Sequence, residues 1–452
     1  MSTPKHLSRR DFLRISSFSV AGIALAACAA PGAPSSSAPA AGGEASAPSG
    51  EKITIRYHAR IGQQEDTLYD MQEPKFMEEN PNIELVRESF PGEEYEAKMA
   101  TMYAGGTQGD VIWSALGGAK IQFAYSQGQV ASITDLVASE NVDLSQWYEG
   151  CLNGITVEGN LLGLPFKAHP GLAVVYYNKT AIEAEGLPIP ENDWTQEEHI
   201  ELAKALTKTE GDRVTQFGFL PGVGSWWKVF VTLTRAFGGE LLNEDGTQFA
   251  LLEDAGRQAM QYIYDVFHTH KVGPLPEQIV GTTNEMWISG VLATYQGGTS
   301  VAVTESAIGD SFEWMVAPNP IGPGGVGGSD YEVDAQCVTT SSEHPVEAFK
   351  WVQYLCNRDS GVQLGLIGGT VGGRPDVYGA EELLQFPYRV VFKEIMDNAQ
   401  ASRITANWRQ TEAETAFNQL MQPIWAGTEQ PNDAYLETVR AQIQDIMDKP
   451  KP

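Results

Sequence analysis

At 452 residues, with 42% apolar and 19% charged residues, the chain is long enough for two cores and too apolar to be disordered. A formal charge of −28 argues against nucleic acid as a partner, because phosphate binding needs a basic patch. Four cysteines (Cys28, Cys151, Cys337, Cys356) are too few for a disulfide framework and form no CxxC pair; the last three read as buried small hydrophobes.

Residues 1–27 read as an address. Ser8-Arg9-Arg10-Asp11-Phe12-Leu13 matches a twin-arginine export signal, with Arg9 and Arg10 as the pair. The apolar run from Phe18 to Ala27 is too short to span a bilayer. It ends in Leu25-Ala26-Ala27-Cys28, which resembles a bacterial lipobox and implies cleavage before Cys28 and acylation there; an ordinary signal-peptide site with Cys28 incidental is the alternative. Those 27 residues hold four basic side chains against Asp11, so their removal leaves −31. Residues 28–50 are Cys28 followed by Ala, Pro, Ser and Gly with Glu44 the one charge, a flexible linker with nothing to bury.

The body begins with Ile53, Ile55 and Tyr57 alternating with polar residues, a first strand. The polar loop from His58 to Glu65 follows its C-terminal end, where open α/β sheets bind ligands, so Arg60, Gln64 and Glu65 are candidates. A helix with Leu68 and Met71 comes next, which Pro74 is expected to kink or restart. Ile83, Leu85 and Val86 form a second strand. Tyr95, Met99, Met102 and Tyr103 recur at helical spacing before a Gly105-Gly106 cap, and Gly109 to Ser114 is a third strand. This alternation describes a lobe built on a parallel sheet.

Further on, Gly163-Leu164-Pro165-Phe166 is extended, Lys167 to Gly171 is a breaker-rich elbow, and Leu172 to Tyr177 is a buried strand. Strand, elbow, strand is one crossing between two lobes. Lys167 and His169 on the elbow either touch ligand or are a solvated hinge. Thr195 and Glu198 form a capping box, so a helix starts there. After the strand Gln216 to Phe219, the loop from Pro221 delivers Trp226 and Trp227 to the mouth of a helix. Two adjacent Trp are not expected to face one core, so at least one should point into the cleft. Leu436, Val439, Ile443 and Met447 mark a last amphipathic helix.

In order, these segments resemble family 1 extracellular solute-binding proteins, the maltose-binding-protein-like receptors of ABC importers. The resemblance lies in the GLPF, YNK, GLP and W steps between Gly163 and Trp194, and in Gly109-Asp110-Val111, where the family usually has Pro for Gly109. It extends to Gln122–Leu136, Met286–Gly298, Trp314–Pro320, Ser342–Phe349 and Gly368–Pro375. It implies an α/β, two-lobe periplasmic-binding-protein fold of type II, with three crossings and a ligand cleft between the lobes. One lobe would hold 51–164 plus 293–330, the other 165–292 plus 331–452. Trp113 and Ser114 just past the third strand become candidates, Trp113 with core packing as its alternative. Gly298 and Thr299 join them from the Met286–Gly298 step, read as the chain's return to the first lobe. Asp330 stands at the expected third crossing, Arg374 in a Gly-rich loop and Trp408 before the C-terminal helices.

The function so implied is an extracytoplasmic, lipid-anchored, monomeric receptor that captures a sugar or oligosaccharide for a membrane permease. The same fold could bind a polyol, glycerol phosphate or polyamine. A secreted carbohydrate-active enzyme is the competing class; it needs two carboxylates across a sugar, and neither GxSxG nor HExxH occurs. No catalytic residue, cofactor or metal ligand is assigned.

Overall fold

In the computed structural model the strand Ile53–Ile61 (β1) buries Ile55, Tyr57 and Ala59 on one face. The structure describes residues 52–62, 64–92, 94–114, 119–251, 253–400 and 407–451. Arg9, Arg10 and Cys28, with the signal and linker, lie outside the described residues, as do 401–406 of the loop before the C-terminal helices.

The first sheet has the order β2-β1-β3-β12-β6, while β4 (Thr156–Val157) and β5 (Asn160–Leu161) pair as a small hairpin of their own. β1 runs parallel to β2 (Ile83–Pro91) and to β3 (Val111–Ser114). β12 (Glu332–Val338) lies antiparallel to both β3 and β6 (Leu164–His169). Helix α1 (Glu65–Glu79) covers it with Leu68, Tyr69 and Phe76, and Trp351 packs against Tyr57 and Phe76 with ring centroids 5.3 and 5.0 Å apart. Contrary to expectation, α1 runs unbroken across Pro74. Pro74 is exposed, so water can satisfy the carbonyl it frees, while Tyr69, Gln72 and Phe76 hold the opposite face. Helix α2 (Tyr95–Gly105) ends on Gly106 at φ 63°, the left-handed cap expected there. At Gly109 the N–H donates to His58 Nε2 at 2.6 Å, a bond that proline could not make.

The second sheet has the order β11-β7-β10-β9-β8. Its strands are β7 (Val174–Asn178), β8 (Lys208–Glu210), β9 (Arg213–Leu220), β10 (Leu292–Gly297) and β11 (Trp314–Pro318). β10 is parallel to β9, and the other pairs are antiparallel. Helix α3 (Gln196–Leu206) starts at the Thr195–Glu198 capping box and packs on β9. Helix α4 (Trp226–Ala236) is wrapped by α5 (Gln410–Leu420), which packs in turn on α6 (Asp433–Met447).

The chain passes from β6 to β7 through Pro170 to Ala173; Lys167 and His169, expected on the elbow, instead continue β6, where β12 pairs with them. There Gly171 sits at φ +72° with Asp330 3.3 Å from where a Cβ would be. It returns from β11 to β12 around Ser329-Asp330, which makes that step the second passage. The expected lobe boundaries need correcting. β10 and β11, expected in the first lobe with 293–330, hydrogen-bond into the second sheet; β12, expected in the second lobe, completes the first. Met286–Gly298 is thus not a return step. The remaining connection runs from the helix Pro387–Asp397 to α5. Cys151, Cys337 and Cys356 are buried, as expected, and all three are free.

Trp226 and Trp227 are each 1% exposed, which corrects the expectation that one faces a cleft. Trp226 packs against Phe267 and Trp425, and Trp227 against Phe249 and Phe417. Adjacent helical residues point about 100° apart, and α4 has apolar partners on both sides. Trp227→Ala should therefore lower stability by about 3–5 kcal/mol in urea titration. His199 on α3 is fully buried between Trp194 and Phe219, and burial pushes its pKa down to about 3. A histidine held neutral in the fold stabilises fully above its unfolded pKa and loses that contribution as pH falls below it. Stability should thus fall below pH ~6.5, by about 2 kcal/mol at pH 5 from this group. His199→Phe should remove that share of the slope.

Candidate functional site

Beyond the C-terminal end of β3 lies a cavity of about 780 Å³. One wall comes from the first sheet's side: Tyr95 and Tyr103 of α2, Trp113 and Ser114 of β3, and Phe123. The other comes from Trp408 and the face of α5 carrying Thr415 and Gln419. Tyr95 fixes the end of β3: its hydroxyl accepts from Trp113 N at 3.0 Å and donates to Trp113 O at 2.9 Å. The Arg60 guanidinium lies 4.8 Å from the Trp113 ring centroid, and Lys451 Nζ 3.7 Å from that of Trp408. Cations over indole faces contribute about 0.5–2 kcal/mol each and hold the rings in place.

Buried charges line the place where the two sheets meet. Lys167 on β6 hydrogen-bonds Glu65, at the start of α1, and reaches Asp334 on β12 at 3.1 Å. Burial opposes the ammonium, but the carboxylates of Asp334 and Glu65 outweigh it and hold its pKa above the ordinary value. Glu332, 2% exposed at the head of β12, bonds Lys228 on α4 and lies 3.8 Å from His169 Nε2. Burial works against that carboxylate too, yet Lys228 and His169 keep its pKa low. Burial pushes His169 down, so its imidazole is neutral near pH 7. Glu414 on α5, desolvated and close to Glu332, has its carboxyl pushed up. A second cavity, about 400 Å³, is lined by His169, Lys228, Gly298 and Thr299.

The structure thus brings Trp113, Ser114 and Trp408 to one cavity, with Arg60 over Trp113, and His169, Gly298 and Thr299 to another. Glu65 and Lys167 belong to the charge network, with half-buried Gln64 beside Glu65. Trp226 and Trp227 stay in their core. Asp330 is 2% exposed and paired with Arg235 at 3.1 Å, so its carboxylate is committed to the fold and not offered to a hydroxyl. Arg374 is likewise committed, to both oxygens of Asp376 at 2.8 Å, to Gln146, and to the face of Trp147. Sequence reasoning assigned Tyr95 and Tyr103 only to helix packing and missed Phe123, which is 47% exposed. It also missed Lys228, Glu332 and Glu414, which carry no local signal: charged residues on helices and strands are ordinarily solvated.

Among the described residues no group of His, Cys, Asp and Glu is placed to hold a metal ion, and no helix is long and apolar enough to cross a membrane. Residues 61–361 match the bacterial extracellular solute-binding protein family. The fold is similar to that of an ABC substrate-binding protein from Listeria monocytogenes solved with cycloalternan: TM-score 0.76, 18% identity, 88% of this chain and 99% of that one. It is also similar to an ABC transporter solute-binding protein from Thermotoga lettingae bound to α-D-tagatose, with TM-score 0.74, 19% identity and coverage of 88% and 100%. Maltose-bound MalE3 of T. maritima matches with TM-score 0.72, 20% identity and coverage of 87% and 100%. With two sheets exchanging strands across an elbow, and with two-thirds of its length matching one family, the chain belongs to the bacterial extracellular solute-binding proteins.

Proposed function

We propose that this protein captures a mono- or oligosaccharide between its lobes by hinge closure and delivers it to an ABC permease. The observation that carries this reading is the single cavity lined by both Trp408, at the start of α5, and Trp113, 4% exposed at the end of β3. Sugar rings present apolar faces that stack on indoles, and hydroxyls that seek polar partners. Glu65 Oε2 and Gln64 Oε1 are buried acceptors without a hydrogen-bond partner among the described residues. Leaving such acceptors unsatisfied is costly, and ligand hydroxyls are donors that would relieve it. The similar solved proteins hold cycloalternan, tagatose and maltose, which favours the sugar class. Contacts from both lobes exist together only when the lobes are close, so ligand favours that state by population shift. The N-terminal address adds twin-arginine export and an acyl anchor on Cys28.

Residues 51–452 should gain thermal stability with one family of sugars, and the sugar should be recovered intact. Polyols and polyamines belong in the same screen: a shift with polyamines alone would sink the carbohydrate reading, and degraded sugar would move the protein to the enzymes. Trp408→Ala should weaken sugar binding about tenfold or more by calorimetry while leaving the ligand-free melting temperature nearly unchanged. In cells, Cys28→Ser should abolish incorporation of labelled palmitate and release the protein from the membrane fraction; unchanged labelling would overturn the anchor.

A further inference from the structure

The segment that follows α6 folds back onto the start of α5. Arg409 Nε and Nη2 both donate to the Pro450 carbonyl, at 2.9 and 2.6 Å, Asn407 Nδ2 donates to Met447 O at 3.3 Å, and Lys449 pairs with Glu412. These bonds carry Lys451 to Trp408, where its ammonium stands 3.7 Å from the ring centroid. The same ammonium lies 3.4 Å from each carboxylate oxygen of Glu158. Trp408 lines the large cavity and Lys451 does not, so the cation covers a face of the indole that the cavity leaves unused.

Glu158 stands in the two-residue turn between β4 and β5, at φ 50°, and Gly159 follows at φ 79°. A hairpin turn with positive φ at both central positions favours Asn-Gly or Gly-Gly, because most side chains are strained there. Glutamate is the unfavourable choice for this backbone, and strain of that kind points to a use for the side chain. The partner of its carboxylate is Lys451. The hairpin belongs with the first sheet: Val157 and Leu161 are buried in one core with Ile55 and Ala335, Ile133 N donates to Leu161 O at 2.8 Å, and β6 begins at Leu164. By contrast α5 and α6 bury Phe417, Val439 and Ile443 in the core of α4.

An exposed ion pair contributes little alone, and a cation over a partly exposed ring little more. Here one ammonium serves both, on a segment already fastened through Arg409 and Glu412. We propose that Lys451 is a positioning residue, a strap that ties the Trp408 indole to the first sheet's side through Glu158 and so presents the ring's other face to the cavity before a ligand arrives. This rests on the hinge-capture reading. A platform fixed in advance lowers the ordering cost of binding.

Fluorine NMR of ligand-free residues 51–452 labelled with 5-fluorotryptophan tests this, with the Trp408 resonance identified by its loss in Trp408→Phe. Lys451→Ala and Glu158→Asn should each move that resonance toward the position of a solvated indole, and Lys451→Arg should leave it in place. Asparagine suits the turn, so Glu158→Asn should do this without lowering the melting temperature. Raising NaCl from about 0.05 to about 0.5 M should reproduce part of the Glu158→Asn displacement, since salt screens exposed charges. A Trp408 resonance that Lys451→Ala leaves unmoved overturns the positioning role. One that responds to Lys451→Ala but not to Glu158→Asn overturns the strap. These measurements use no ligand, so a sugar screen without hits would count against the capture reading alone.

Discussion

Where β6, β12 and the first turn of α4 meet, Glu65, Lys167, Asp334, Glu332 and Lys228 are largely shut away from water. Each of these charges is tolerable only because another lies against it. That requirement fixes how the two strands entering the passages lie side by side, since Glu332 pairs in register with His169 and Asp334 with Lys167. It also ties the second sheet's helix layer to the first sheet through Lys228. The remainder of the molecule can be seen as two ordinary α/β layers brought to this junction.

The local elements were legible because their signals are local. The Thr195–Glu198 box and the Gly106 cap are decided by neighbours within a few residues, and each stands where its residues imply; the elbow read at Lys167–Gly171 is shifted, since Lys167 to His169 continue β6 and the turn falls at Pro170 to Ala173. Membership of a sheet is not local. β10 and β12 are both strands, and nothing in either run says which sheet supplies the next hydrogen-bond ladder. That choice belongs to the long connections, so the lobe boundaries came out exchanged. β12 is harder still: Glu332, Asp334 and Gln336 alternate with apolar residues like a strand half open to water, yet all seven positions are buried. The polar face that periodicity would turn to solvent is turned into the junction.

The aromatic residues show the same limit from another side. Ten tryptophans invite a sugar-binding reading, but bulk alone does not separate a platform from a core residue. Trp226 and Trp227 sit in apolar company on both sides of α4. Trp113 and Trp408 are distinguished by what lies over them: each has a cation against its ring. Arg60 and Lys451 come from distant parts of the chain, so this distinction exists only after folding. Arg374 has the same kind of stacking on Trp147, but its fork is also filled by Asp376. A stacked arginine alone is thus no mark of the site.

Net charge is the least transferable of the sequence signals. The figure of −28 describes a surface, and acidic surfaces are common without cationic partners. Within the junction the charges are paired one against another, and what is left over is hydrogen-bonding capacity more than charge. Glu65 spends one oxygen on Lys167 and keeps the other buried, while Gln64 keeps its carbonyl oxygen. Under the proposed capture, a ligand reaching these acceptors would be selected by the donors it brings, since a fixed array of acceptors rejects a solute that lacks them far more strongly than an apolar wall rejects a poor fit. The tryptophan walls would then supply affinity for any flat, partly apolar ring, and the polar junction would decide which rings are kept.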